Sequence, residues 1–208
     1  MNKKISLLLL LFLLVCPSGR IRPQDAGGSR ALRYGNQTEA GISMGVGKFK
    51  TDVVNGVQIH AKNDEIIALV QTVNGVWYMD RLFIGAGVGA EFWQHGLFYP
   101  VFGRLSYTIQ PKENTFVASV DLGGAIGNRY GTTYYNSGKG GFLATLGLGY
   151  QVKIAKKLRF LYEVFLKYQV IKSTYRMETV TDTTAIYGKP IDYNVPNYFI
   201  GFRIGISY

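Results

Sequence analysis

Hydrophobic and polar residues alternate with a period of two through most of this chain. From Tyr198 to Tyr208 the even positions are Tyr198, Ile200, Phe202, Ile204, Ile206 and Tyr208, all apolar or aromatic. The odd positions are Phe199, Gly201, Arg203, Gly205 and Ser207, small or polar except for Phe199. Successive side chains of a strand point to opposite faces, so this segment predicts a strand with one apolar face. The pattern recurs. In 82–93, Leu82, Ile84, Ala86, Val88, Ala90 and Phe92 alternate with Phe83, Gly85, Gly87, Gly89, Glu91 and Trp93. In 116–127, Phe116, Ala118, Val120 and Leu122 alternate with Val117, Ser119, Asp121 and Gly123. In 142–153, Phe142, Ala144, Leu146, Leu148 and Tyr150 alternate with Thr145, Gly147, Gly149 and Gln151. In 158–170, Phe160, Tyr162, Val164, Leu166 and Tyr168 alternate with Arg159, Glu163, Lys167 and Gln169. Less regular strands near 39–49, 64–78 and 98–110 bring the expected number to eight.

The connections divide into two kinds. Asp80-Arg81, Pro111 to Asn114 and Ala155 to Lys157 are short, as is Gln94-His95-Gly96. Residues 50–63, 128–139 and 174–196 are longer and polar. If both termini lie in the periplasm, three short turns fall on that side and the longer loops fall outside, the asymmetry of outer-membrane barrels. Strand length points the same way. Tyr198 to Tyr208, at about 3.3 Å per residue, extends roughly 33 Å. Tilted by about 40°, it spans roughly 25 Å of membrane normal, the height of an apolar band between aromatic girdles. The alternative is a secreted, soluble ligand-binding barrel with its apolar face inward. The opposite face of these strands is rich in glycine and small groups, which suits a narrow interior better than a solvated surface. The expected fold is therefore all-β: an eight-stranded antiparallel up-and-down transmembrane barrel.

Composition agrees with this pattern. The chain has 208 residues, with 26 glycines, 15 tyrosines and only 17% charged residues. Glycine weakens helices and aromatics favour strands. After a basic start, Asn2-Lys3-Lys4, the run from Ile5 to Val15 is apolar but for Ser6, and Cys16-Pro17-Ser18-Gly19 follows. That run is too short to span a membrane and reads as a signal peptide over 1–19, cleaved near Ser18 or Gly19. Leu13-Leu14-Val15-Cys16 loosely matches a lipidation site at Cys16, with Val15 bulkier than such sites favour. Residues 20–37 read as a flexible periplasmic lead-in and 38–208 as the barrel domain. The formal charge is +10. Removing Lys3 and Lys4 leaves +8; Arg20, Arg22, Arg30 and Arg33 against Asp25 account for +3, leaving +5 on the rest. A basic exported surface suits a solvated exterior or contact with lipid phosphates and lipopolysaccharide. Nucleic acid is not an expected partner. One cysteine and two histidines, His60 and His95, make no metal-ligand cluster, and no cofactor motif is present.

Four segments carry a family resemblance: Asn74-Gly75-Val76-Trp77-Tyr78; Leu82 to Gly89; Tyr99-Pro100-Val101-Phe102-Gly103-Arg104-Leu105-Ser106-Tyr107; and Phe202-Arg203-Ile204-Gly205-Ile206-Ser207-Tyr208. In this order they resemble the small outer-membrane barrels common in Bacteroidetes, related in architecture to OmpA and OmpX. The resemblance covers roughly 38–208. It implies integral outer-membrane location and a closing strand read by the barrel-insertion machinery through Phe202, Ile204, Ile206 and Tyr208. That family usually ends on Phe, so Tyr208 is a conservative departure. The family shares no catalytic motif, so no active site is implied.

The expected interior positions include Glu91, Arg104, Asp121, Arg159, Glu163, Lys167 and Arg203. An eight-stranded barrel is just wide enough for side chains to fill, and buried charges must pair, so these residues predict an ion-pair network plugging the lumen. The corresponding function is structural or partner-binding through the outer loops. A narrow passive pore is the first alternative. A lipid A-modifying enzyme is the second. It would need a histidine beside a serine or carboxylate near the outer leaflet, but His60 and His95 fall in outer loops while Ser106 and Ser119 lie within strands. A protein partner could meet the loop residues Asn128, Tyr130, Tyr134, Tyr135, Asn136 and Ser137, a composition common at adaptable binding surfaces. Asp182-Thr183-Thr184 matches a short O-glycosylation pattern of Bacteroidetes, and Asn36-Gln37-Thr38 fits an N-glycosylation sequon.

Overall fold

The computed structural model describes residues 32–54, 57–94, 96–110, 113–132, 135–155, 158–175, 178–181, 184–187 and 191–208. Eight long strands form a closed antiparallel barrel. They are β1 (Leu32–Val46), β4 (Ile66–Tyr78), β5 (Leu82–Trp93), β6 (Gly96–Thr108), β7 (Asn114–Thr132), β8 (Tyr135–Ala155), β9 (Leu158–Tyr175) and β12 (Ile191–Ser207). Around the wall the order is β1, β12, β9, β8, β7, β6, β5, β4, and β4 returns to β1. Two hairpins project from one end: β2 (Lys48–Val54) with β3 (Val57–Lys62), and β10 (Glu178–Thr181) with β11 (Thr184–Tyr187). The signal peptide, Cys16, His95, Tyr134, Asp182 and Thr183 lie outside the described residues.

The alternation sorts side chains as the fold requires. Ile42, Val70, Ile84, Leu105, Leu122, Leu146, Val164 and Ile204 face outward and are exposed. Glu39, Gln71, Arg104, Asp121, Glu163 and Arg203 face inward and are buried. The barrel is thus polar in its middle and apolar on its outside, the reverse of a soluble barrel. β4 looks irregular in sequence because its inward residues Ile67, Leu69, Val73 and Trp77 are themselves apolar, so both faces carry hydrophobic side chains.

Three boundaries differ from expectation. The barrel begins at Leu32, six residues before Thr38, because Leu32 to Gln37 pair with Tyr78 to Val73 of β4. Asn36 also exchanges backbone hydrogen bonds with Tyr208, at 2.9 and 3.0 Å. These residues carry little apolar alternation because their inward side chains include Gly35 and Gln37, and backbone pairing holds the strand. The expected loop 128–139 is largely strand: Arg129 pairs with Gly138 and Tyr130 with Ser137. The expected loop 174–196 likewise contains the start of β12 and the β10–β11 hairpin. Strand that projects beyond an apolar layer needs no apolar face, so periodicity cannot reveal it.

The short turn between β4 and β5 is centred on Met79 and Asp80, with φ of 50° and 54°. The amide of Arg81 donates to the carbonyl of Tyr78 at 3.1 Å. Positive φ at both central residues matches the twist of a hairpin but disfavours a side chain such as methionine. Met79→Asn, which tolerates that conformation, is expected to stabilise the barrel by up to about 1 kcal/mol. Urea unfolding of the refolded protein measures the change, and a loss of stability would show the turn to be relaxed as it stands.

Candidate functional site

The lumen is crossed by ion pairs. The Arg104 guanidinium on β6 donates to both carboxylate oxygens of Asp121 on the neighbouring β7, from Nε at 2.6 Å and from Nη2 at 2.8 Å. Its Nη1 reaches across to Glu39 Oε1 at 2.5 Å and Gln37 Oε1 at 3.1 Å on β1. Arg203 on β12 donates to Glu163 on the adjacent β9, to Asp121 Oδ2 at 3.1 Å and to Ser119 Oγ at 3.2 Å. Its Nε lies 3.3 Å from Glu39 Oε2. Gln71 Nε2 donates to the same Glu39 oxygen at 2.7 Å, and the Ser119 hydroxyl donates to Glu163 at 2.8 Å. Three carboxylates therefore share two guanidinium groups, and Gln37, Gln71 and Ser119 add further hydrogen bonds. A buried charge left without such partners is strongly destabilising, so the cluster holds only as a unit.

Lys167 and Glu91 form a second bridge at 2.5 Å, joining β9 to the opposite wall at β5. Trp93 Nε1 donates to Glu91 at 3.4 Å. Beyond this pair, beside the buried Gln169 and Asn197, lies an aromatic and aliphatic layer. Trp93 packs on Phe98 and Phe199, with ring centroids 5.0 and 5.1 Å apart, among Ile67, Leu143 and Ile171. Near the short-turn end, Trp77 packs on Phe83 at 5.1 Å. Aromatic layers thus close the polar cluster from both sides, and the guanidinium groups of Arg104 and Arg203 lie 5.6 and 5.2 Å from the rings of Phe102 and Phe165. Glycine makes room for these groups. A Cβ at Gly147 would overlap the Glu163 carboxylate, and one at Gly87 would press into the Phe102 ring.

Of the seven charged positions expected inside, Arg104, Asp121, Glu163 and Arg203 meet in one cluster and Glu91 meets Lys167. Arg159 joins neither. It is the second residue of β9, only partly buried, and its Nη1 donates to Gln151 at 3.3 Å. Glu39, the hub of the cluster, is absent from the expected set. Its signal is present in the sequence: Gln37, Glu39, Gly41, Ser43 and Gly45 are small or polar at every second position. Ser106 and Ser119 face the lumen and are buried, away from the outer wall where a lipid substrate would arrive. His60 lies on β3, outside the barrel. The Asn36 side chain is buried and donates to Thr72 and Asn74 at 3.2 and 2.8 Å, so the sequon at this position is not open to modification. The closing-strand residues Phe202, Ile204, Ile206 and Tyr208 point outward and are exposed. Among the described residues, no group of three or more His, Cys, Asp or Glu side chains could hold a metal ion.

No family model matches the sequence, and no curated protein matches it. Solved structures share the fold. The outer membrane protein AlkL, determined by solid-state NMR in lipid bilayers, superposes with a TM-score of 0.54 at 12% identity, covering 89% of this chain and 93% of AlkL. The neisserial surface protein A structure gives a TM-score of 0.44 at 7% identity, covering 83% of this chain and 97% of that one. The superposition on AlkL shows a shared barrel architecture and no more.

The lumen network makes a graded prediction. Arg104→Met leaves Arg203 as the sole guanidinium for three buried carboxylates, Glu39, Asp121 and Glu163, and is expected to cost about 3–5 kcal/mol. Lys167→Met alone is expected to be similarly damaging, whereas Lys167→Met with Glu91→Met restores most of the loss, since no charge is stranded. Arg159→Ala is expected to change stability by less than about 0.5 kcal/mol. Urea unfolding followed by gel migration measures all four. A double variant as unstable as its single parent would contradict the pairing.

Proposed function

We propose that this protein is an integral outer-membrane barrel with a lumen closed by its own side chains, which presents its projecting hairpins to a partner outside the cell. The observation that carries this reading is the inverted polarity of the wall. Leu148, Ile126 and Phe116 are exposed by 73%, 72% and 63% on the outside, while Arg104 and Arg203 are 2% exposed within. A continuous apolar band of this kind is not tolerated in water but matches hydrocarbon. Aromatic residues bound the band. Phe116 with Tyr150 and Phe160 with Tyr162 lie toward the short-turn end, and Phe142, Tyr168 and Tyr198 lie toward the hairpin end. Aromatic girdles of this kind mark the two interfaces of a transmembrane barrel.

The short turns then face the periplasm and the hairpins face outward. Export through the signal peptide at 1–19 and the resemblance of 38–208 to small Bacteroidetes barrels support the same placement. The interlocked lumen favours a structural or partner-binding role over a passive pore. The buried strand serines give no support to a lipid-modifying enzyme. Partner recognition falls to β2–β3, the extended ends of β7 and β8, and β10–β11.

The closing strand has a second role in this reading. Phe202, Ile204, Ile206 and Tyr208 form an outward stripe for the barrel-insertion machinery. The Tyr208 backbone closes the barrel against Asn36, while its side chain is exposed. Wild-type protein is expected in the outer-membrane fraction with heat-modifiable gel migration. Tyr208→Ala is expected to lower its level there several-fold, with little change in the unfolding midpoint of protein refolded in detergent. Recovery of wild type only from soluble fractions would overturn the membrane reading. Normal outer-membrane levels of the variant would count against the insertion role alone.

A further inference from the structure

The outer wall at the hairpin end of β8, β9 and β12 carries two adjoining features that neither barrel closure nor the plug explains. The first is a groove. Val46, Tyr198, Tyr168 and Ala144 form one cross-strand row over β1, β12, β9 and β8. Met44, Ile200, Leu166 and Leu146 form the next row toward the short-turn end. Tyr168 packs on Tyr198 at 5.3 Å and on Phe142 at 6.3 Å. Ala144 is the small member of its row, and beside it Val46, Tyr198, Tyr168, Leu166 and Leu146 line an open apolar groove of about 400 Å³. That is within the range of small-molecule sites.

The second feature is a pair of lysines. Lys139 of β8 and Lys172 of β9 are directly opposite in register and both point outward. Like charges in that arrangement repel. Among the described residues, neither forms an ion pair with a carboxylate. Lys172 lies four residues beyond Tyr168, about 13 Å along the strand. At a tilt of about 40° this is roughly 10 Å along the barrel axis, enough to lift an ammonium group from the girdle into the headgroup layer.

We propose that this wall seats a phosphorylated glycolipid of the lipid A class, with one acyl chain in the groove and a phosphate held between Lys139 and Lys172. The charge balance selects the class. Two adjacent ammonium groups match a phosphomonoester, which carries about −1.5 to −2 and three acceptor oxygens. A phosphodiester headgroup carries a single negative charge and leaves one lysine uncompensated. The inference rests on the membrane reading above, which places the hairpin end at the outer leaflet.

The test uses the full mature chain refolded into phosphatidylcholine nanodiscs and titrated with diphosphoryl lipid A, dephosphorylated lipid A or phosphatidylglycerol, with bound lipid read by native mass spectrometry. Diphosphoryl lipid A is expected to bind in preference to both others. Lys139→Ala with Lys172→Ala is expected to weaken it about thirtyfold. Ala144→Leu, which fills the groove and leaves the lysines in place, is expected to weaken it as well. Heat-modifiable migration confirms that each variant is folded. Failure of the wild type to enter phosphatidylcholine bilayers would overturn both the membrane reading and the seat. Normal insertion with equal uptake of the three lipids, or with uptake unaffected by the lysine substitutions, would overturn the seat alone. Tighter binding of phosphatidylglycerol would overturn the assignment to a phosphomonoester glycolipid.

Discussion

β1 hydrogen-bonds to β12 on one side and to β4 on the other, and this seam leaves the barrel without an edge strand. In hydrocarbon each unpaired backbone group costs several kcal/mol, so a strand protein can cross a membrane only as a closed barrel. With eight strands, closure also fixes the width of the interior. The space can hold side chains but little else, and the strand period sends every second residue into it. The inward composition of the whole chain answers to that one constraint.

Two solutions to the narrow interior are combined here. Glycines such as Gly147 and Gly87 withdraw the wall where a carboxylate or an aromatic ring needs the space. Long charged side chains fill what remains. An arginine at the middle of the lumen is tolerable only if its charge is matched nearby; Arg104 and Arg203 find Asp121 and Glu163 on adjacent strands, and both reach Glu39, which lies across the lumen from Arg104 and beside Arg203. The same contacts tie β6, β7, β9, β12 and β1 together through their side chains as well as their ladders. The apolar outside has no comparable need for specificity. It requires only hydrophobicity along its length and aromatic residues at its ends, and departures from that minimum, such as Ala144 in a row with Tyr168 and Tyr198, are where recognition can be built.

The barrel was legible in the sequence because its outer face and its lumen carry opposite polarities on alternate residues. Eight strands, their order along the chain and most of the charged lumen could be read that way. Legibility failed where that contrast fades. Gln37 and Glu39 sit mid-strand in β1, but the residues before them lack apolar alternation, so the strand reads from the sequence as starting only near 39 and its hub residue looks like a strand end. Arg159 follows the inward alternation, yet at the rim solvent is close enough to release it from the cluster. The projecting ends of β7 and β8 carry no apolar alternation and look like loop. Across-lumen partnerships, such as Lys167 with Glu91, depend on register around the whole barrel, which no single strand encodes.

The central claim is that interlocked side chains close the lumen. Single-channel recording of the refolded wild-type protein in planar bilayers tests it most directly. With the pairs of Arg104, Arg203 and Lys167 intact and the Trp93 cluster above them, the account predicts no steady current above the bare-membrane baseline. Reproducible open-channel steps from the intact wild-type barrel would contradict it.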